Sequence, residues 1–60
     1  MADFDVWLVH NYFTWYTAFY AENEDEVMKL IPMRLQEEGI PRWFMSDAQQ
    51  IKIQKAGELT

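Results

Sequence analysis

The feature that most constrains the fold is a change in the hydrophobic period of the chain. Residues 4–10 and 13–21 each alternate between the two faces of an extended segment, and they are rich in the aromatic and β-branched residues that strands favour. Val27, Ile31 and Leu35 then recur every four residues, which is the spacing along one face of a helix. The sequence therefore predicts two consecutive strands followed by an amphipathic helix.

Capping signals place this helix at about residues 24–38. Asn23 and, three positions later, Glu26 form the pattern of a capping box at its start, and Gly39 with a proline two positions later is typical of a helix end. Pro32 lies inside the predicted helix, where its missing N–H group and its ring cost about 3 kcal/mol. We therefore expect a kink at Pro32, or a division into two short helices.

The remaining segments complete a single α+β domain over residues 1–60. The run 49–55 alternates again and predicts a third strand, which follows an irregular stretch around 42–45. Residues 10–12 separate the first two strands, and Asn11 tolerates the positive φ that a tight hairpin turn often demands. Because a helix joins the second strand to the third, those two run parallel, and the first can lie between them. The prediction is a β-β-α-β fold with a three-stranded sheet in the order 2-1-3 and one kinked helix on one face.

Strand parity divides the aromatic residues into two sets. The inward parity and the apolar helix face form the predicted core, which consists of Phe4, Val6, Leu8, Phe13, Trp15, Phe19, Ala21, Val27, Leu30, Ile31, Leu35, Ile51 and Ile53. The outward parity leaves Trp7, Val9, Tyr16, Ala18, Tyr20 and Lys52 uncovered. Contiguous exposed aromatic surface commonly marks an interface, so the candidate binding residues are Trp7, Tyr16, Tyr20 and Lys52. Alternatively, the segment 43–45 wraps this face, or the face pairs in a homodimer.

The chain lacks the residues that most catalytic and metal sites need. Sixty residues make one small domain, and without cysteine it has no disulfide or thiolate ligand. The single histidine, His10, and the single serine, Ser46, are expected in a turn and a loop. Asp3 and Asp5 alternate along a strand, which we interpret as a solvated strand edge rather than a cation site. We expect a non-enzymatic protein with no cofactor and no metal.

The charge distribution points to protein partners. Ten acidic and five basic residues give a net charge of −5, which opposes direct binding to nucleic acid. Glu22, Glu24, Asp25 and Glu26 fall within five positions and are candidates for binding a basic protein surface, although helix capping also explains acidic residues here. With no basic leader and no apolar run of membrane-spanning length, we expect a cytosolic protein without a membrane partner.

The segment 16–27 is a predicted strand that ends in Ala-Glu and passes directly into an acidic helix. It resembles short proteins encoded by bacteriophages and mobile elements. One such family is the small podophage inhibitor of host RNA polymerase, whose element order and Tyr-Ala-Glu junction are similar to Tyr20-Ala21-Glu22. In that family, contact with the polymerase is attributed to basic residues of the last strand, helped by acidic residues elsewhere. The resemblance places Lys52 in a basic position, whereas Gln54 stands where a second basic residue is expected.

A second resemblance is to the DpnD/PcfM-like group. Its helix is followed by an apolar-Asp loop and a short strand, similar to residues 45–47 and 51–53 of this chain. Together the two resemblances cover residues 13–55. They imply a phage-type protein that acts in the host cytoplasm.

Three functional hypotheses follow. The first is a host-takeover protein that binds a host enzyme, most plausibly RNA polymerase, and inhibits transcription by occupying a site. The second is an acidic DNA mimic that inhibits a restriction or CRISPR nuclease. The third is a small homodimeric structural or assembly protein, in which the uncovered aromatic faces pair with each other.

Overall fold

The computed structural model describes residues 1–57 of the chain. Within them, the elements are β1 (Ala2–Val9), β2 (Thr14–Ala21), α1 (Glu24–Glu37), α2 (Trp43–Ser46) and β3 (Gln50–Lys55). The α+β architecture is confirmed, and the predicted strands and helix begin and end within two residues of these bounds. The segment 42–45, which was expected to be irregular, contributes instead to the short helix α2. Neither described helix has the length and apolar character needed to cross a bilayer.

The three strands form one sheet in the order β2-β1-β3, as predicted. The central strand β1 is antiparallel to both neighbours. Its register places Trp7 opposite Tyr16 on one side and opposite Lys52 on the other. Because side chains alternate along each strand, this register decides which residues share a face.

The core lies between the sheet and α1. Val6, Leu8, Val27 and Ile31 have no exposed surface, and Leu35 is equally enclosed. The full buried apolar set is Phe4, Val6, Leu8, Phe19, Ala21, Val27, Ile31, Leu35 and Phe44. Trp15, Leu30, Ile51 and Ile53 are partly buried against it, so most of the residues predicted for the core lie there.

Phe13 is the exception among the predicted core residues. Its side chain is 54% exposed, so its assignment to the core is wrong. β2 begins at Thr14, which leaves Phe13 in the preceding loop, where strand parity does not apply. Phe44 of α2 is buried instead, with its ring centroid 6.1 Å from that of Trp15.

The start and end of α1 follow the predicted signals. The Oδ1 atom of Asn23 accepts a hydrogen bond from the Glu26 N–H at 2.9 Å, and the Glu26 carboxylate accepts one from the Glu22 N–H at 3.4 Å. At the other end, Gly39 adopts a φ of 74°, and the Ile40 N–H donates to the Leu35 carbonyl at 2.8 Å. This is a Schellman-type end, which favours glycine because a Cβ atom is disfavoured at positive φ.

Pro32 does not divide the helix. α1 runs without a break from Glu24 to Glu37, as the prediction of one helix requires, so the alternative of a division into two short helices is wrong. Ile31 and Leu35, on either side of Pro32, are both buried against the sheet. Packing of this face maintains the helix at the position where proline leaves the Met28 carbonyl without its usual donor.

The connection between β1 and β2 differs from the predicted tight turn. Residues 10–13 form a four-residue loop in which the His10 N–H donates to the Phe13 carbonyl at 2.8 Å. Within the described residues, positive φ occurs only at glycines, so Asn11 does not adopt the left-handed conformation that it would tolerate. The longer loop reverses the chain without that conformation.

Candidate binding surface

The face of the sheet opposite α1 bears the aromatic residues predicted to be uncovered. We call it the outer face; it includes Asp3, Asp5, Trp7, Val9, Thr14, Tyr16, Ala18, Tyr20, Gln50, Lys52 and Gln54. The side chains of Tyr16 and Tyr20 are 54% and 63% exposed. Phe44 and Met45 of the 43–45 segment pack with the core on the other side of the sheet. The hypothesis that this segment wraps the outer face is therefore wrong.

Trp7 forms the centre of the outer face. The ring of Tyr16 lies on one side of it, with centroids 5.6 Å apart and planes tilted by 48°. On the other side, the Lys52 Nζ lies 5.3 Å from the centroid of the Trp7 ring, within the range of a cation–π interaction. Three of the predicted binding residues thus form one row across the three strands, and their mutual contacts restrict the side-chain rotamers before any partner binds.

Asp5 lies beside this row and contacts Tyr16. The Tyr16 hydroxyl donates a hydrogen bond of 2.6 Å to the Asp5 Oδ1. The hydrogen bond to Asp5, together with some desolvation and the negative charge of the carboxylate, raises the pKa of Tyr16 above 10.0. Asp5 belongs to the central strand, so the interpretation of Asp3 and Asp5 as a strand edge is wrong. Their carboxylates lie within the aromatic surface.

The predicted acidic residues lie elsewhere. Glu24 and Asp25 border a cavity of about 560 Å³ whose lining includes Phe4 and Ile53, which belong to the core side of the sheet. Glu22, Glu24 and Asp25 are exposed, whereas Glu26 is half-buried and engaged in capping. The structure therefore divides the predicted binding residues into an aromatic row on the outer face and an acidic group at the start of α1.

A second exposed aromatic group was not predicted. It consists of Tyr12, Phe13 and Trp43, which are 95%, 54% and 58% exposed. They line one cavity together at the end of the sheet where β1 turns into β2, and we call them the hairpin-end patch. The only sequence signal was an aromatic pair next to a turn, since Trp43 is thirty positions away from Phe13 and no period connects them.

His10 lies beneath this patch. Its ring stacks on Phe13 with centroids 4.8 Å apart and contacts Phe44 at 4.3 Å. Its Nε2 atom is buried and has no hydrogen-bond partner among the described residues. Residues 1–57 contain no group of three or more His, Asp or Glu side chains arranged to hold a metal ion. The His10 side chain thus packs as an aromatic ring against Phe13 and Phe44.

The chain matches no family model, and the searches of curated proteins and of solved structures also give no match.

Proposed function

We propose that this protein is a non-enzymatic inhibitor that binds a larger host enzyme through the outer face of its sheet. The supporting observation is the asymmetry of the sheet. One face is covered by α1 and contains the buried core, whereas the other presents Tyr16 and Tyr20 with more than half of each side chain in solvent. Aromatic side chains placed outside the core contribute little to folding, but they supply large contact areas at low entropic cost when a partner binds.

The outer face is preorganised for such contact. Trp7 is held between Tyr16 and Lys52, and Tyr16 is held by Asp5. Side chains that are already restricted lose less conformational entropy on association than mobile ones. A small rigid sheet of this kind acts by covering a site on its target, and it needs no catalytic group of its own.

Host RNA polymerase is the target that we propose, in the host cytoplasm. The reason is the resemblance of the Tyr20-Ala21-Glu22 junction to the podophage inhibitors, together with the position of Lys52. That lysine takes the basic position of the resemblance, and it lies on the outer face beside Trp7. The same surface thus contains the aromatic anchors and the basic residue that the resemblance assigns to polymerase contact.

The test is binding to purified bacterial RNA polymerase, combined with transcription in vitro. We expect a stoichiometric complex and inhibition of transcription by the unaltered protein. The double variant Tyr16→Ala, Tyr20→Ala should bind at least about tenfold more weakly, because it removes two aromatic anchors. Its unfolding free energy should change by no more than about 1 kcal/mol, because both side chains are exposed.

Tyr12→Ala is the matched control, since Tyr12 is a fully exposed tyrosine at the hairpin end. It should bind and inhibit like the unaltered protein. Equal affinity of the double variant and Tyr12→Ala would reject the outer face as the binding surface. Failure of the unaltered protein to bind or inhibit polymerase would reject the proposed target.

A further inference from the structure

Resting on the proposed function, we infer that the outer face binds an arginine side chain of the partner between Tyr16 and Tyr20, against the carboxylates of Asp3 and Asp5. We call this place the acidic notch; its fifth member is Ala18, which lies between the two tyrosines on β2. The carboxylates of the acidic notch determine the chemistry of the partner group, which exposed tyrosine rings alone do not.

The notch follows from the register of β1 and β2. Tyr20 lies opposite Asp3, and Ala18 lies opposite Asp5. Directly opposed side chains on one face have Cβ atoms about 5 Å apart, so each carboxylate is next to the β2 side chain that it faces. Tyr16 and Tyr20 are four residues apart on one strand, or about 13 Å between Cα atoms. Ala18 has only a methyl group between them, which leaves the space above it open.

This space suits a guanidinium group. A cation within about 6 Å of an aromatic centroid is attracted to the ring face, and arginine in addition stacks its plane on the ring. The same group donates two parallel hydrogen bonds to a carboxylate, which a lysine ammonium cannot do. Tyr16 and Tyr20 supply the rings, and Asp3 and Asp5 supply the acceptors. The chain already shows the ring contact on its other face, where the Arg34 guanidinium lies 4.7 Å from the Phe19 centroid.

The distribution of charge places the partner's cation at this side of the outer face. The five basic residues of the chain are Lys29, Arg34, Arg42, Lys52 and Lys55. None of them belongs to β1 or β2, whose only charged residues are Asp3 and Asp5. The ring of Trp7 already has the chain's own cation, Lys52, as a neighbour. The two tyrosines lie on β2, with β1 between them and Lys52, and more than half of each side chain is exposed, so their rings are open to a cation from outside.

The same charges disfavour a second copy as the occupant. Each chain has a net charge of −5, so two outer faces brought together would place like charges close to one another. The negative field of the chain attracts a basic partner segment and raises its association rate. Salt screens this attraction.

The experiment uses a blocked hexa-arginine peptide as the probe, titrated into the full chain at low ionic strength. Hexa-lysine and hexa-citrulline peptides of the same length are compared with it. Backbone amide chemical shifts locate the contact, and the change in shift gives the affinity. We expect the largest shifts at Asp3, Asp5, Ala18 and Tyr20, with hexa-arginine binding more tightly than hexa-lysine and no binding of hexa-citrulline.

Matched variants separate the notch from general attraction to an acidic protein. Asp3→Asn with Asp5→Asn, and separately Tyr20→Ala, should weaken hexa-arginine binding at least about fivefold. The controls Asp47→Asn and Tyr12→Ala remove an exposed charge and an exposed ring outside the outer face, and should change affinity less than about twofold. Equal losses in variants and controls, or shifts centred on residues 22–26, would overturn the inference.

A parallel measurement with RNA polymerase distinguishes the two proposals. If the Tyr16→Ala, Tyr20→Ala variant loses the polymerase while hexa-arginine fails to bind the notch, the arginine inference alone is rejected. If hexa-arginine binds the notch while the unaltered protein neither binds nor inhibits polymerase, the proposed target alone is rejected.

Discussion

At the scale of single residues, the outer face is organised by contacts between side chains that are distant in sequence. Tyr16 reaches Asp5 on the neighbouring strand through a hydrogen bond of 2.6 Å. On the inner face, the Arg34 Nη1 donates to the Thr17 hydroxyl at 2.7 Å, which satisfies a polar group that is only 7% exposed. Each of these two hydrogen bonds restricts the rotamers of the side chains that it joins.

The Tyr16–Asp5 pair predicts a pH response. The pKa of Tyr16 is raised above 10.0, first by its hydrogen bond to Asp5, so the folded chain keeps the phenolic proton to higher pH than the unfolded chain does. The contribution of this pair to stability is therefore complete below the unfolded value and is lost as pH rises through the folded pKa. Asp5→Asn removes the carboxylate charge and should lower the pKa of Tyr16 towards 10.0.

The measurement is a titration of tyrosinate absorbance, with Asp3→Asn as the matched control. Asp3 faces Tyr20, not Tyr16, so this control should leave the Tyr16 titration in place. A Tyr16 titration that is the same in Asp5→Asn and in the unaltered protein would contradict the assigned hydrogen bond.

Strand parity predicted that Tyr16 lies on the uncovered face, but it did not predict the contact of Tyr16 with Asp5. Parity depends only on position along one strand, whereas the contact depends on the register of two strands. The hairpin loop is one residue longer than expected, and the loop determines which residues oppose each other. The sequence pattern of one strand indicated Asp5 only as a solvated edge residue, although it lies beside the aromatic row and accepts a hydrogen bond from Tyr16.

At the scale of elements, α1 contains a residue that local propensity would exclude. Pro32 lies in the middle of a helix of 14 residues, and the helix nevertheless continues. The sequence alone predicted both ends of α1 from their caps, because capping is local. It left open whether Pro32 kinks or divides the helix, because continuity depends on the burial of Ile31 and Leu35 against a sheet built from distant residues.

Replacing this proline should stabilise the protein. Pro32→Ala restores a donor for the Met28 carbonyl and removes the ring, and we expect a gain of about 1–3 kcal/mol in the free energy of unfolding. Urea unfolding followed by circular dichroism gives this quantity. Met33→Ala, at the adjacent exposed position, should change stability by about 0.5 kcal/mol or less. A loss of stability in Pro32→Ala would show that the proline ring itself contributes essential packing.

At the scale of the whole molecule, the fold separates stability from the proposed binding surface. The sheet order 2-1-3 was predictable because the hydrophobic periods identify three strands and one helix. A helical connection between the second and third strands then leaves few arrangements. The closure of the core at the hairpin end was not predictable. Phe13, which follows the first turn, is exposed there, whereas Phe44, from the connection after α1, is buried. No local period indicates which of two such rings enters a core.

Phe44 therefore has a structural importance that its position in a four-residue helix does not suggest. Its ring lies 4.3 Å from His10, 5.7 Å from Phe13 and 6.1 Å from Trp15, measured between centroids. These contacts attach the connection between α1 and β3 to the end of the sheet. Without the ring, the core would lose one of its buried apolar members at this end.

Phe44→Ala should destabilise the fold by about 3–5 kcal/mol, because it removes a buried ring and leaves a cavity. A chain of this size has a total stability of about 3–9 kcal/mol, so much of the variant is expected to be unfolded. Phe44→Leu preserves most of the volume and should lose about 1–2 kcal/mol, which keeps the experiment measurable if the alanine variant does not fold. Trp43→Ala, at the neighbouring position that is 58% exposed, is the control and should lose less than about 1 kcal/mol. Urea unfolding of the four proteins tests this order, and a larger loss at Trp43 than at Phe44 would contradict it.

Because Phe44 lies on the other side of the sheet from Trp7, the folded Phe44→Leu variant should also bind its partner with unchanged affinity, whereas exposed outer-face substitutions should change affinity without changing stability.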